Sequence, residues 1–299
     1  MTSVIESNDV LKIERRGAVL VAEINGGPRQ EFGETVARAM EKFVDAVDKD
    51  PDVRAVVFTS AHPTRFISHA DVRWLQEGGV KVAERLKAGD AAPAPDPDTF
   101  GLDRLHGMML RMNSANAVFV AALEGPALGL GAEFSWACDL RVMADTDAFI
   151  GQPEVLLGIM PGGGGTQRLT RLVGPHRSLV AILEGRPFSP QDALAIGAVD
   201  AVVAKDQVIA KAVELASHMA KRSKPAIGAI KRAVNFGASL PLQDALGLEA
   251  KEFMGLNMSA EGQTRMIAYM QDADRLGDLP LYVDGVYAKS IETGTTVSE

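Results

Sequence analysis

The stretch from Ala121 to Gly174, with the run that leads into it, most constrains what this chain can fold into. Val118 to Leu123 is a short apolar run bounded by Gly125-Pro126, the pattern of a buried strand. The turn at Gly129-Leu130-Gly131 follows, where glycines let the backbone bend sharply and come close to something. Ala132 to Ala137 reads as a helix. The amides of Leu130 and Gly131 then lie at its N-terminus, with the helix dipole behind them, and suit a developing negative charge. Glu133 stands three residues beyond Leu130, a second carboxylate sits in Gln152-Pro153-Glu154, and a glycine run spans Gly162 to Gly165.

These residues carry a resemblance. The segments Glu124-Gly125-Pro126-Ala127-Leu128-Gly129-Leu130-Gly131-Ala132-Glu133, Ala137-Cys138-Asp139, Gly151-Gln152-Pro153-Glu154 and Pro161-Gly162-Gly163-Gly164-Gly165-Thr166-Gln167-Arg168-Leu169 resemble the crotonase superfamily in order and spacing. The superfamily is also called the enoyl-CoA hydratase/isomerase family. The likeness runs from about Leu11 to about Ala273. It implies an α/β fold, a crotonase-type spiral of repeated ββα units with a helical C-terminal oligomerisation part. The implied division is a spiral core over 9–205, a helical trimerisation region over 206–275 and an extension over 276–299.

The resemblance also implies roles. Glu133 and Glu154 stand where hydratases of the family carry a glutamate acid/base pair. Thr64-Arg65-Phe66-Ile67-Ser68-His69-Ala70-Asp71 matches the family's first oxyanion segment, so the backbone N–H groups of Ala70 and Leu130 would form the oxyanion hole. His69 and Leu130 each replace a glycine of the family pattern, and a leucine sits poorly at positive φ. Substrate-binding positions would include Ser68, His69, Asp71, Gly131, Pro161 and Gly162. Arg29 and Arg65 are the local cations for the phosphates of coenzyme A, which belongs to the substrate, so no separate cofactor is expected. The family often adds a basic residue from its C-terminal helix. Here that region reads Tyr269-Met270-Gln271-Asp272-Ala273-Asp274-Arg275, with Arg275 its one cation.

Composition excludes other classes. The net charge is -8, which leaves no basic surplus for nucleic acid. No run approaches the ~20 apolar residues of a membrane span. One cysteine, Cys138, excludes an intrachain disulfide and fits a reducing compartment; its apolar setting marks a buried, inert thiol. A soluble cytoplasmic protein is expected, assembled as a homotrimer or homohexamer on an acyl-CoA thioester.

Along the chain, Leu11 to Arg15 and Ala18 to Ile24 read as a hairpin, Gly33 to Val47 as a helix and Val53 to Thr59 as a buried strand. Gln76 to Thr99, with Gly78-Gly79 and alternating prolines from Pro93 to Pro97, reads as an exposed loop or a mobile lid. Phe100 to Arg111 is a helix on the pattern of Leu102, Leu105, Met109 and Leu110. From Pro175 onward the pattern is almost entirely helical, and Leu279 to Glu299 is expected to end in a frayed polar tail.

Adding water across a double bond needs one group to activate water and one to deliver a proton. Two glutamates can divide this work when their environments push their pKa values apart. The expected function is therefore hydration of a 2-enoyl-CoA. The alternatives are enoyl-CoA isomerisation or other acyl-CoA chemistry on the same fold, and a non-catalytic binding protein. Gly162 to Gly165 lacks the Lys-Ser or Lys-Thr of a phosphate loop and reads as a tight turn opening a helix. No histidine, cysteine or carboxylate cluster has metal-ligand spacing, so no metal is expected.

Overall fold

The computed structural model describes residues 5–89 and 100–296. Its first layer is a six-stranded sheet. Strands β1 (Leu11–Arg16) and β2 (Val19–Ile24) form the expected antiparallel hairpin. Helix α1 (Glu34–Lys49) crosses to β3 (Ala55–Ser60), which runs parallel to β2. Helices α2 (Val72–Lys87) and α3 (Leu102–Ser114) precede β4 (Val118–Leu123), parallel to β3. After β5 (Ala127–Leu128) and α4 (Leu130–Ala137), β6 (Leu140–Ala144) joins the edge of β4. Short β7 (Ile150–Gly151), α5 (Gly165–Val173), α6 (Pro175–Glu184) and α7 (Pro190–Ala195) lead to β8 (Ala201–Val203), which completes the order β1-β2-β3-β4-β6-β8.

A second, narrow layer crosses the first. Phe32 bridges Ala70, the amide of Leu128 donates to the Ser68 carbonyl at 3.1 Å, β5 pairs with β7, and Ile150 bridges Phe188. Each turn of chain thus gives one strand to the wide sheet, a short extended piece to the narrow layer and then a helix. That is the spiral of ββα units, and the wide sheet's fully buried strands β3 and β4 read as continuous apolar runs for this reason.

Aromatic packing anchors the element that carries the site. Phe134 of α4 meets Phe58 of β3 edge-on at 5.0 Å between ring centroids, and Phe58 stacks on Phe119 of β4 at 5.9 Å. Such pairs contribute roughly 0.5–1.5 kcal/mol beyond the area they bury.

The C-terminal part is helical: α8 (Val208–Met219), α9 (Lys224–Gly237), α10 (Leu242–Asn257), α11 (Ala260–Leu276) and α12 (Val286–Thr293). Buried Lys231 ties α9 to the spiral. Its Nζ donates to the Ala117 carbonyl at 2.6 Å and to Asp139 Oδ2 at 2.7 Å, and it lies over the Phe119 ring. Arg232 pairs with Glu252, joining α9 to α10.

One expectation about order is corrected. Gln76 to Lys87 is not loop but the body of α2, capped at its start by Asp71, whose carboxylate accepts from the amides of Arg73 and Trp74. Gly78-Gly79 suggested a break, but glycine weakens a helix interior by only about 1 kcal/mol each and does not forbid it. Residues 90–99, with the prolines, lie outside the described residues. After Leu279 the chain forms α12, and the end expected to fray, residues 297–299, lies outside the described residues. Helix α12 is held at its C-terminal end by Lys221 Nζ on the Glu292 carbonyl at 2.7 Å and Arg222 Nη2 on the Ile291 carbonyl at 2.6 Å. Cations belong at the carbonyl end of a helix.

Removing one partner of a buried ion pair leaves the other charge uncompensated. Lys231→Ala is therefore expected to destabilise the fold by about 3–5 kcal/mol, measured by urea unfolding. A change below about 1 kcal/mol would show that Asp139 does not depend on this lysine.

Candidate active site

The site forms where the narrow layer meets the start of α4. The sharp turn before that helix falls on Gly129, with φ 49° and ψ -121°. A side chain there would be strained, and an added Cβ would stand 2.9 Å from Glu154 Oε1. Leu130 has ordinary helical backbone, since Gln30 is the only non-glycine residue at positive φ among those described. The leucine is thus accommodated without strain. As the first residue of α4 its N–H has no intrahelical acceptor. The carbonyl of Gly129, on the same peptide, accepts from the Glu133 amide at 3.0 Å and from Gln152 Nε2 at 3.2 Å. That peptide is held from behind, and its N–H faces outward.

The second open amide comes from an earlier turn. Phe32 donates to the His69 carbonyl at 2.9 Å and accepts from the Asp71 amide at 3.1 Å. In a parallel bridge this alternation turns the N–H and C=O of the intervening residue, Ala70, to the opposite side. The Ala70 carbonyl meets His69 Nδ1 at 2.7 Å. Its N–H has no partner among the described residues.

Glu133 is almost fully buried, at 2% exposure. Its Oε1 accepts from the amides of Gly163 at 2.8 Å and Gly165 at 2.7 Å. The glycine run is therefore more than a helix-opening turn: it is the cradle of this carboxylate. Gly163 has no room for a side chain, because Leu130 Cδ1 lies 2.7 Å from where a Cβ would stand and the Glu133 carboxylate is closer still. Leu130 thus covers the glutamate from one side. Burial pushes the Glu133 carboxyl up to about 7, and neighbouring Glu154 adds to the rise. The two amides and Arg168 pull the other way.

Glu154 opens a single 3₁₀ turn, Glu154–Leu157, and is half-buried. Burial raises its pKa as well, opposed by its own backbone amide and by His69. Its Oε2 is buried without a hydrogen-bond partner. Both carboxyls therefore resist ionisation more than a free glutamate does. Such a pair can offer an acid and a base together.

The remaining candidates separate into groups. His69 stands beside Glu154: its Cβ lies 3.6 Å from a Cβ placed on Gly129, over which the carboxylate also lies. Ser68 Oγ donates to the Arg29 carbonyl at 2.6 Å and Arg65 Nη1 to the same oxygen at 3.2 Å, so these three gather on an exposed rim, where Arg29 also pairs with Glu31. Asp71 serves as the cap of α2. Gly131 packs against the Ile67 carbonyl. Pro161 is buried, and the carbonyl of exposed Gly162 meets His106 Nε2 at 2.7 Å. Arg275 is paired with Asp272 at 2.9 Å. Cys138 is buried, and burial pushes its thiol up, which suits an inert role. Sequence reasoning missed the cradle amides, Gln152 and Arg168. Only the backbone path reveals the first. The other two lay in quoted motifs without a chemical reason to single them out.

The crossed layers and the turn-by-turn layout of this site define a crotonase-class spiral. The sequence profile of the enoyl-CoA hydratase/isomerase family matches residues 28–275, and the chain belongs to that family. It is 30% identical over 268 residues to a short-chain-enoyl-CoA hydratase from Clostridium acetobutylicum, covering 89% of this chain and 96% of that one. It is 31% identical over 245 residues to a fatty acid oxidation complex subunit alpha from Idiomarina loihiensis, covering 80% of this chain and 32% of that longer protein. An enoyl-CoA hydratase structure from Geobacillus kaustophilus superposes with a TM-score of 0.76 at 26% identity, over 91% of this chain and 96% of that one. No helix among the described residues is long and apolar enough to cross a membrane.

The raised carboxyl makes a stability prediction. Glu133 shifts from 4.5 to about 7 on folding, so the folded state favours its neutral form. That contribution is fully present below about pH 4.5 and is lost as pH rises through about 7, a swing of up to about 3 kcal/mol. Glu133→Gln keeps the acceptor oxygen and cannot ionise. Its Tm should gain on wild type steadily between pH 4.5 and 7.5. A difference independent of pH would show that the carboxyl is not held neutral by burial.

Proposed function

We propose that this protein hydrates the double bond of a 2-enoyl-CoA thioester. The observation that carries this function is the pair of carboxyls whose pKa burial raises, Glu133 and Glu154, set beside two outward-facing amides. In the proposed reaction the thioester carbonyl accepts from the amides of Ala70 and Leu130. Negative charge gathers on that oxygen as water adds to the β-carbon, and preorganised donors stabilise it. One carboxyl of the pair removes a proton from the water, and the other delivers a proton to the α-carbon. Leu130 and the Gly163 backbone keep the site partly dry, which strengthens both effects. The rim around Arg29 and Arg65 faces the phosphates of coenzyme A. Isomerisation would need only one carboxyl to shuttle a proton, whereas both are buried and perturbed here.

Glu133→Gln and Glu154→Gln are each expected to lower hydration of a short 2-enoyl-CoA by at least about a hundredfold. Rates within threefold of wild type in either variant would refute the assignment. Supplying a 3-enoyl-CoA separates the alternatives: faster turnover of that substrate, with a 2-enoyl product, would make the protein an isomerase.

We further infer self-association through the C-terminal helices. Leu242, Leu246, Phe253 and Met254 on α10, Met258 just after it and Ile267 on α11 are all exposed, apolar surface of the kind that marks an interaction site. A homotrimer or homohexamer is the expected assembly. Light scattering should report it at micromolar concentration, and a monomer there would refute it.

A further inference from the structure

His69 occupies a position that bears on both halves of the proposed oxyanion hole. Its backbone carbonyl accepts from Phe32, which fixes the peptide whose N–H belongs to Ala70. Its side chain acts on the next peptide. Both polar groups of Ala70 turn away from Phe32, toward the same side. Left alone, the carbonyl would bring an exposed partial negative charge to the flank of the donor. The imidazole removes it: Nδ1 lies 2.7 Å from the Ala70 oxygen. A carbonyl only accepts, so Nδ1 carries the proton in this contact. The Asp71 N–H of the same peptide is bound to Phe32, so that peptide is held at both ends. The His69 Cβ also packs over Gly129, one residue before the second donor, Leu130.

We propose that His69 is a positioning residue of the oxyanion hole, whose Nδ1–H ties off the Ala70 carbonyl and leaves the amides of Ala70 and Leu130 as the polar groups facing the thioester oxygen. This role rests on those two amides being the donors. The ring acts through the backbone and touches no reacting atom. With Nδ1 as the donor, Nε2 of the neutral ring is left as an acceptor.

The probe is dimethylaminocinnamoyl-CoA, whose absorption moves to longer wavelength when its carbonyl is polarised. Wild type is expected to shift it. His69→Ala and His69→Phe should keep less than about half of that shift and lower kcat on a short 2-enoyl-CoA about tenfold, with KM within about threefold, as expected when donors are misaimed but not deleted. His69→Asn, whose amide can donate to a nearby carbonyl, should retain most of the shift. Thermal melting of each variant establishes that the fold is intact. A full wild-type shift in both His69→Ala and His69→Phe would overturn the role. An Asn variant no better than Ala would overturn donation in favour of mere packing. Wild type that binds the probe without any shift would overturn the two-amide hole itself, a failure seen before any variant is made.

Discussion

The structure of this site depends on one carboxylate being held in a nearly dry place. Burying a charge is expensive unless donors surround it, and the Gly163 and Gly165 amides are the donors that Glu133 finds. Their geometry requires the tight turn, and the turn leaves no room for a Cβ at Gly163. It also requires α4 to start where it does, and that helix is fixed on the sheet by Phe134 against Phe58. The glutamate is strained electrostatically rather than conformationally. A pKa near neutrality results, which makes the ionised carboxyl unhelpful to folding.

The open amides follow from the narrow layer. Ala70 and Leu130 are far apart in sequence, yet the pairing of Phe32 with Ala70 and of Leu128 with Ser68 sets their turns side by side. Gly129 alone takes the left-handed backbone, so the next residue is free to be leucine. The side chain gained there does not block the amide. It turns onto Gly163 and helps exclude water from Glu133.

Much of this was legible in the residues. The hairpin, α1, β3, β4 and the helices from Pro175 on follow from periodicity and breakers, because each buries one face or one run. The Glu133 and Glu154 segments stood out by motif, and burial raises the pKa of both carboxyls. One place misled. The glycines at 78 and 79 looked like a break, although Asp71 caps the helix that contains them. Helix α12 was not singled out at all, because the anchoring of its last carbonyls on Lys221 and Arg222 leaves no local pattern. The spiral came from resemblance alone. Its narrow layer is built from single bridges and two-residue strands, too short to leave a period.

Each turn of the spiral gives the site one short contribution: Ala70 from one, Leu130 and Glu133 from the next, Glu154 and Gly163 from the one after. Among the stretches between these points, α2 buries none of its residues, whereas α3, β4 and β6 belong to the packed core. The exposed face of α2 can therefore change composition without disturbing the core that carries these residues. The scaffold is modular in this limited sense: an exposed connection such as α2 can be rewritten while the core strands that set the turns keep their pairing.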